Sequence, residues 1–165
     1  MEKRPVIQLP RTKTETALDA ICLLVIISMI AYAAYEWQGL PERIPMHFDA
    51  KGNIDGWGNK WSLIPIPVIG IIIYVGLSLL GKVPHVFNYP SQITEANAPG
   101  QYQNARLFIN CLKTVIVVLF GFIEWSILHS AKEGTLDLNL WVLGLLVVVM
   151  LGTIVFFIVR SFKLR

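Results

Sequence analysis

The chain has 165 residues, of which 55% are hydrophobic and only 15% charged, whereas a soluble domain carries roughly 25% charged residues. One compact unit is expected at this length, and a formal net charge of +3 is too small and too dispersed to argue for a nucleic-acid partner. The two cysteines, Cys22 and Cys111, both lie in apolar segments, which leaves no disulfide framework to read.

Residues 1–17 are polar, with Lys3, Arg4, Arg11 and Lys13 set among Pro5 and Pro10. They show no hydrophobic periodicity and read as a mostly disordered cytoplasmic tail. From Leu18 to Trp37 the chain is almost wholly apolar, and about 20 residues at 1.5 Å each cross the roughly 30 Å hydrocarbon core. Asp19 is the one charge near the start of this run, placed to favour a helix N-terminus or to reach the headgroups. A signal peptide is the competing reading, with Ala31-Tyr32-Ala33 as a loose cleavage site. The length of the apolar run and of the tail before it argue for a retained helix.

A polar connection, 40–61, leads to a second apolar run, Leu63 to Gly81, with Pro65 and Pro67 in its first turns, where a missing amide costs least. Gly70, Gly76 and Gly81 are small enough to admit close helix contact. Residues 82–106 form a second polar connection. A third apolar run, about 107–129, is interrupted by Lys113 and Glu124, and a polar turn over 130–137 precedes a last, uncharged run, 138–159. The runs do not alternate as membrane β-strands would, so the expected fold is an all-α membrane protein of four transmembrane helices. The tail, the second connection and the C-terminus together hold nine Lys and Arg, and the first and third loops hold four. That bias puts both termini in the cytoplasm. Trp37, Trp57, Trp61, Trp125 and Trp141 then all fall at or near the outer interface, the layer indole prefers.

Within the first connection, Pro41 and Pro45 fix two φ angles and favour extended neighbours. Ile44, Met46 and Phe48 alternate with Pro45, His47 and Asp49, a strand period. Ala50-Lys51-Gly52-Asn53 signals a turn, and Ile54 to Trp57 returns as a second strand. Gly56 and Gly58 flank Trp57 and leave it free to turn toward lipid or protein. A small β-hairpin on the outer membrane surface is predicted.

The string LPERIPMHFDAKGNIDGWGNKW, between a first and a second membrane helix, resembles the signature of a family of unknown function in bacterial membrane proteins that includes the SdpI-like immunity proteins. The matching positions are Leu40-Pro41, Ile44-Pro45, His47-Phe48, Gly52, Asp55-Gly56 and Lys60, joined by Phe87–Pro90, Ile93-Thr94, Asn97-Ala98 and Gln101-Tyr102. Pro99-Gly100 departs from the pattern and leaves the third helix to start either with Thr94 as its cap or with Pro99 in its first turn. The resemblance implies a multi-pass protein of the bacterial cytoplasmic membrane. It also implies a non-enzymatic outer-face module whose partner, beyond the bilayer, is a peptide toxin or another membrane protein.

Candidate ligand-binding residues are His47, Asp49, Asp55 and Glu124. Pro41, Pro45, Phe48, Gly52, Gly56, Trp57 and Lys60 are expected to build the motif. His47 either titrates near neutral pH or binds a metal, or it hydrogen-bonds backbone beside the turn. An EF-hand register through Asp55-Gly56 fails, because Lys51 would be its first ligand and Ser62 its twelfth. Asp49, Asn53 and Asp55 therefore read as turn residues. A composite zinc site of His47, His129, Glu124 and Glu36 lacks any ligand spacing, and no cofactor is indicated. Lys113 and Glu124 share a helical face but lie about 16 Å apart along the axis. Each is read as snorkelling to its own interface, with a small-solute or ion transporter using both as the alternative function and a metal-dependent enzyme using His47 as the second. No nucleophile or phosphate-loop motif is present.

Overall fold

The computed structural model describes residues 4–133 and 138–164. Four long helices, α1 (Lys13–Glu36), α2 (Pro65–Leu80), α3 (Ala98–Glu133) and α4 (Leu140–Lys163), are accompanied by a two-stranded antiparallel sheet, β1 (Arg43–Phe48) and β2 (Ile54–Asn59), between α1 and α2. All four helical segments are long and apolar enough to cross a membrane, which makes this a multi-pass membrane protein. The sheet sits at one end of the bundle, the hairpin end. The chain termini sit at the other, the terminal end.

Each helix begins where the backbone chemistry favours it. Thr12 caps α1 by accepting from the Glu15 N–H, and the Glu15 carboxylate accepts from the Thr12 N–H. This reciprocal box starts the helix at Lys13, ahead of the apolar run. A single 3₁₀ turn, Lys60–Leu63, capped by Asn59, turns the chain into α2, whose Pro65 occupies the first position. Asn97 precedes α3. Its side chain accepts from the Thr94 N–H while Thr94 Oγ1 accepts from the Asn97 N–H, so Thr94 closes a turn before the helix and Pro99 lies in its first turn. At 36 residues α3 is about 54 Å long, well beyond the hydrocarbon thickness, and it projects at the terminal end.

The long α3 is the hub. α1 runs parallel to it, α2 and α4 antiparallel, and each packs chiefly on α3. The tightest approach is at Gly121, where a Cβ would lie 2.8 Å from Val25 Cγ1 and 3.7 Å from Met29 Cγ. Gly70 and Gly76, expected at helix contacts, would meet nothing within 4 Å. The α2 side chains that pack against the core clusters are instead those of Ile66 and Tyr74. Gly121→Leu is expected to wedge α1 from α3 and to lower stability by about 1–3 kcal/mol, with Gly76→Leu within about 0.5 kcal/mol of the parent. Thermal unfolding of the two variants in one detergent checks the contrast.

Three apolar clusters follow one another along the bundle. Leu40, Ile44, Leu63, Ile127 and Leu128 join the hairpin to α3. Cys22, Ile26 and Val117 fill the middle. Ile93, Ala98 and Tyr102 form the terminal-end cluster, against which Ile7 and Leu9 pack. The N-terminal segment expected to be disordered is thus tied down. Arg4 donates to the carbonyls of His85 and Phe87, Tyr102 Oη donates to the Pro5 carbonyl, and Arg106 donates to the Leu9 carbonyl at 2.8 Å. Periodicity could not reveal this segment, because its order comes from contacts more than 80 residues away in sequence.

Candidate functional site

The hairpin is held by its own polar groups. Asp49 Oδ1 accepts from the backbone N–H of Lys51 and of Asn53, and Oδ2 accepts from the Asn53 amide. The Asn53 side chain and these backbone donors hold the Asp49 carboxyl below its ordinary value. Gly52 takes φ +86° at the turn, where an L side chain is strained. Strict alternation does not hold along β1. The register shifts between Pro45 and His47, and again before Phe48, so Met46 forms a bulge and Pro45 is buried beside Ile44. Gly56 and Gly58 answer a cross-strand need: a Cβ on them would come 2.8 Å from His47 Cβ and 2.7 Å from Met46 Cγ. Trp57 between them is half exposed. His47 Nδ1 lies 2.5 Å from Asp55 Oδ1, both side chains well exposed. Lys60 pairs with Glu42 at 2.8 Å and sits 5.7 Å above the Trp37 ring.

Behind the hairpin's base lies a cleft of about 480 Å³ between the C-terminal part of α1 and the start of α2, within the usual range of small-ligand sites. Ile30 and Ala33 on one side face Ile64 and Val68 on the other. Trp37 and Trp61 meet edge-to-face at 4.9 Å and wall its upper end. Glu124 of α3 is the one ionisable residue lining it. Its side chain is buried, 1% exposed, and neither carboxylate oxygen has a hydrogen-bond partner among the described residues.

Lys113 is equally buried, but it is fully satisfied. Its ammonium donates to Asp19 Oδ1 at 2.5 Å, Ser78 Oγ at 2.9 Å and Asn110 Oδ1 at 3.0 Å, and lies 4.8 Å from the Tyr74 ring centroid. Asp19 also takes Arg11, and Arg106 pairs with Glu15 at 2.9 Å. These groups line a polar cavity of about 630 Å³ at the terminal end. The snorkelling expected of Lys113 and Glu124 does not occur, because both face inward where α1 and α2 meet α3. They do not share a cavity, and along α3 the Val117 cluster lies between them.

The composite metal site does not assemble. Among the described residues no three His, Cys, Asp or Glu side chains approach closely enough to hold an ion. His129 instead stacks on Trp125 at 5.0 Å and lies 3.5 Å from Glu133, and Glu36 pairs with Lys132 at 2.9 Å. Sequence reasoning named Glu124 but not its surroundings. Trp37 and Trp61 read only as interface residues, and Asp19 read as favouring a helix N-terminus or reaching the headgroups. A depth count along parallel α1 and α3, setting the acid near the start of one apolar run against the lysine inside the other, is the signal that pairs Asp19 with Lys113.

Residues 24–71, which cover the second half of α1, the hairpin and the start of α2, match the profile of a domain of unknown function (DUF1648). The chain is 27% identical over 168 residues to an uncharacterized protein of Archaeoglobus fulgidus, covering 92% of this chain and 90% of that one. Neither description mentions immunity, and the relative is archaeal. No solved structure matches the chain.

Proposed function

We propose that this membrane protein is a non-enzymatic binding module that takes an apolar peptide carrying one cationic group into the cleft between α1 and α2, in a toxin-immunity or signalling role. The observation that carries this reading is Glu124, a buried carboxyl without a partner among the described residues, at the back of an apolar cleft. A carboxyl so placed has given up its hydrogen bonds to water, and a ligand's ammonium or guanidinium restores them. The Trp37 and Trp61 faces add cation–π attraction. The sheet above the cleft has only two strands, so each keeps one open edge against which a peptide backbone can pair. With both termini in the cytoplasm, as the Lys and Arg distribution argues, the cleft opens in the outer leaflet of the cytoplasmic membrane, where a secreted apolar peptide arrives.

The test is a titration of nanodisc-embedded protein with a set of apolar peptides bearing a single lysine, followed by tryptophan fluorescence. The expected outcome is saturable binding that weakens about 10–100-fold in Glu124→Gln, in line with the loss of a desolvated charge-assisted hydrogen bond. Acetylating the peptide amine should produce the same loss in wild type and none further in the variant. Equal affinity of wild type and Glu124→Gln for every peptide would remove the reading.

A further inference from the structure

The polar cavity at the terminal end is independent of the cleft and of any peptide role. Its lining includes four cationic side chains, Arg11, Lys82, Arg106 and Lys113, against two carboxylates, Glu15 and Asp19. The internal pairs account for most of these groups. Lys113 spends its three donors on Asp19, Ser78 and Asn110, and Arg106 is committed to Glu15 and the Leu9 carbonyl. Arg11 uses one nitrogen on Asp19 and remains more than half exposed. Lys82 has no side-chain ion pair or hydrogen bond among the described residues, and His85 stands beside it in the lining. The cavity therefore has a neutralised floor and a mouth with surplus positive charge. That mouth lies where α1 begins and α2 ends, which is headgroup depth for a spanning helix pair. Ile7 and Leu9 of the N-terminal segment, which pack on the terminal-end cluster, also line the cavity beside these charges.

We infer that this mouth is a phosphate-binding site, with Arg11, Lys82 and His85 as its donors. A phosphate group offers several acceptor oxygens to donors from separate elements, and an Arg–phosphate contact can be bidentate. Basic pockets between membrane helices near the headgroups take phosphate chemistry of this kind. Two sources present it: the headgroup of an anionic phospholipid, and a free phosphate or phosphomonoester.

Two arms separate the sources. The full chain in neutral detergent is titrated calorimetrically with inorganic phosphate. The full chain is also reconstituted in phosphatidylcholine nanodiscs with and without phosphatidylglycerol, and the lipids it retains are read by native mass spectrometry. Lys82 is exposed, so Lys82→Ala and Lys82→Glu should fold, and circular dichroism verifies that they do. The expected result is binding in at least one arm, weakened roughly fivefold by Lys82→Ala and roughly thirtyfold by Lys82→Glu. Calorimetric binding of inorganic phosphate assigns a free anion, and selective retention of phosphatidylglycerol without it assigns the lipid. No binding in either arm, or binding indifferent to Lys82→Glu, overturns the assignment.

Discussion

Replacing Glu124 by leucine is expected to stabilise the ligand-free protein by about 1–3 kcal/mol, the desolvation penalty of a buried polar group left without a partner. Most buried polar groups behave the other way, because removing one of them strands its partner. Glu124 has no partner to strand: its carboxyl oxygens are unpaired among the described residues, and the cleft it lines is walled mainly by apolar side chains, with Gln38 the other polar one. Leucine is similar in volume and matches those walls. Residues retained for binding often sit at such a loss to stability, so the same substitution should abolish peptide capture while raising the unfolding midpoint. The measurement is reversible unfolding of wild type and Glu124→Leu in a single detergent, or steric trapping in bicelles. A loss of more than about 1 kcal/mol in the variant would mean that the carboxyl holds structure together, and the binding role would lose its support.

Lys113→Met should have the opposite sign, lowering stability by about 3–5 kcal/mol, the range found when one member of a buried ion pair is removed. The ammonium organises three acceptors from three elements: Asp19 on α1, Ser78 on α2 and Asn110 on α3. Removing it leaves Asp19 mostly buried, with Arg11 as its remaining counter-ion, which places the effect toward the lower end of that range. The double variant Asp19→Leu, Lys113→Met removes both charges and should recover at least half of the loss, because replacing a buried pair with apolar groups is often close to neutral. If the double variant proves as unstable as the single, the two side chains do not act as a pair. Lys113 and Glu124 look alike in the sequence, as charges interrupting one apolar run. The contrast between the two substitutions separates a structural charge from a vacant one.

The two residues also mark how far the linear chain could be read. Four spans were legible because a helix in lipid needs about 20 consecutive apolar residues whatever its neighbours do. The hairpin was legible because Pro45, Asp49, Gly52 and Asn53 act through local backbone preferences, and the structure has its strands and turn where those residues put them. The bulge at Met46 was not legible, since it goes with Ile44, packed on Ile127 and Leu128 of α3, and its neighbour Pro45 both being buried. The N-terminal segment was misread for the same reason: its order comes from Tyr102 and Arg106, and a polar run carries no periodic mark of distant partners.

The sequence by itself determined the number of spans, the place and turn chemistry of the hairpin, and the charge bias from which orientation is argued. All of these rest on interactions within a few residues or with the bilayer. Only the tertiary structure decided that Gly121 rather than Gly70 or Gly76 carries the close helix contact, because every glycine looks the same until a neighbour is placed beside it. It alone decided that, among the described residues, Lys113 is satisfied and Glu124 is not. A buried charge is defined by the groups around it, and those groups come from helices far apart in the chain.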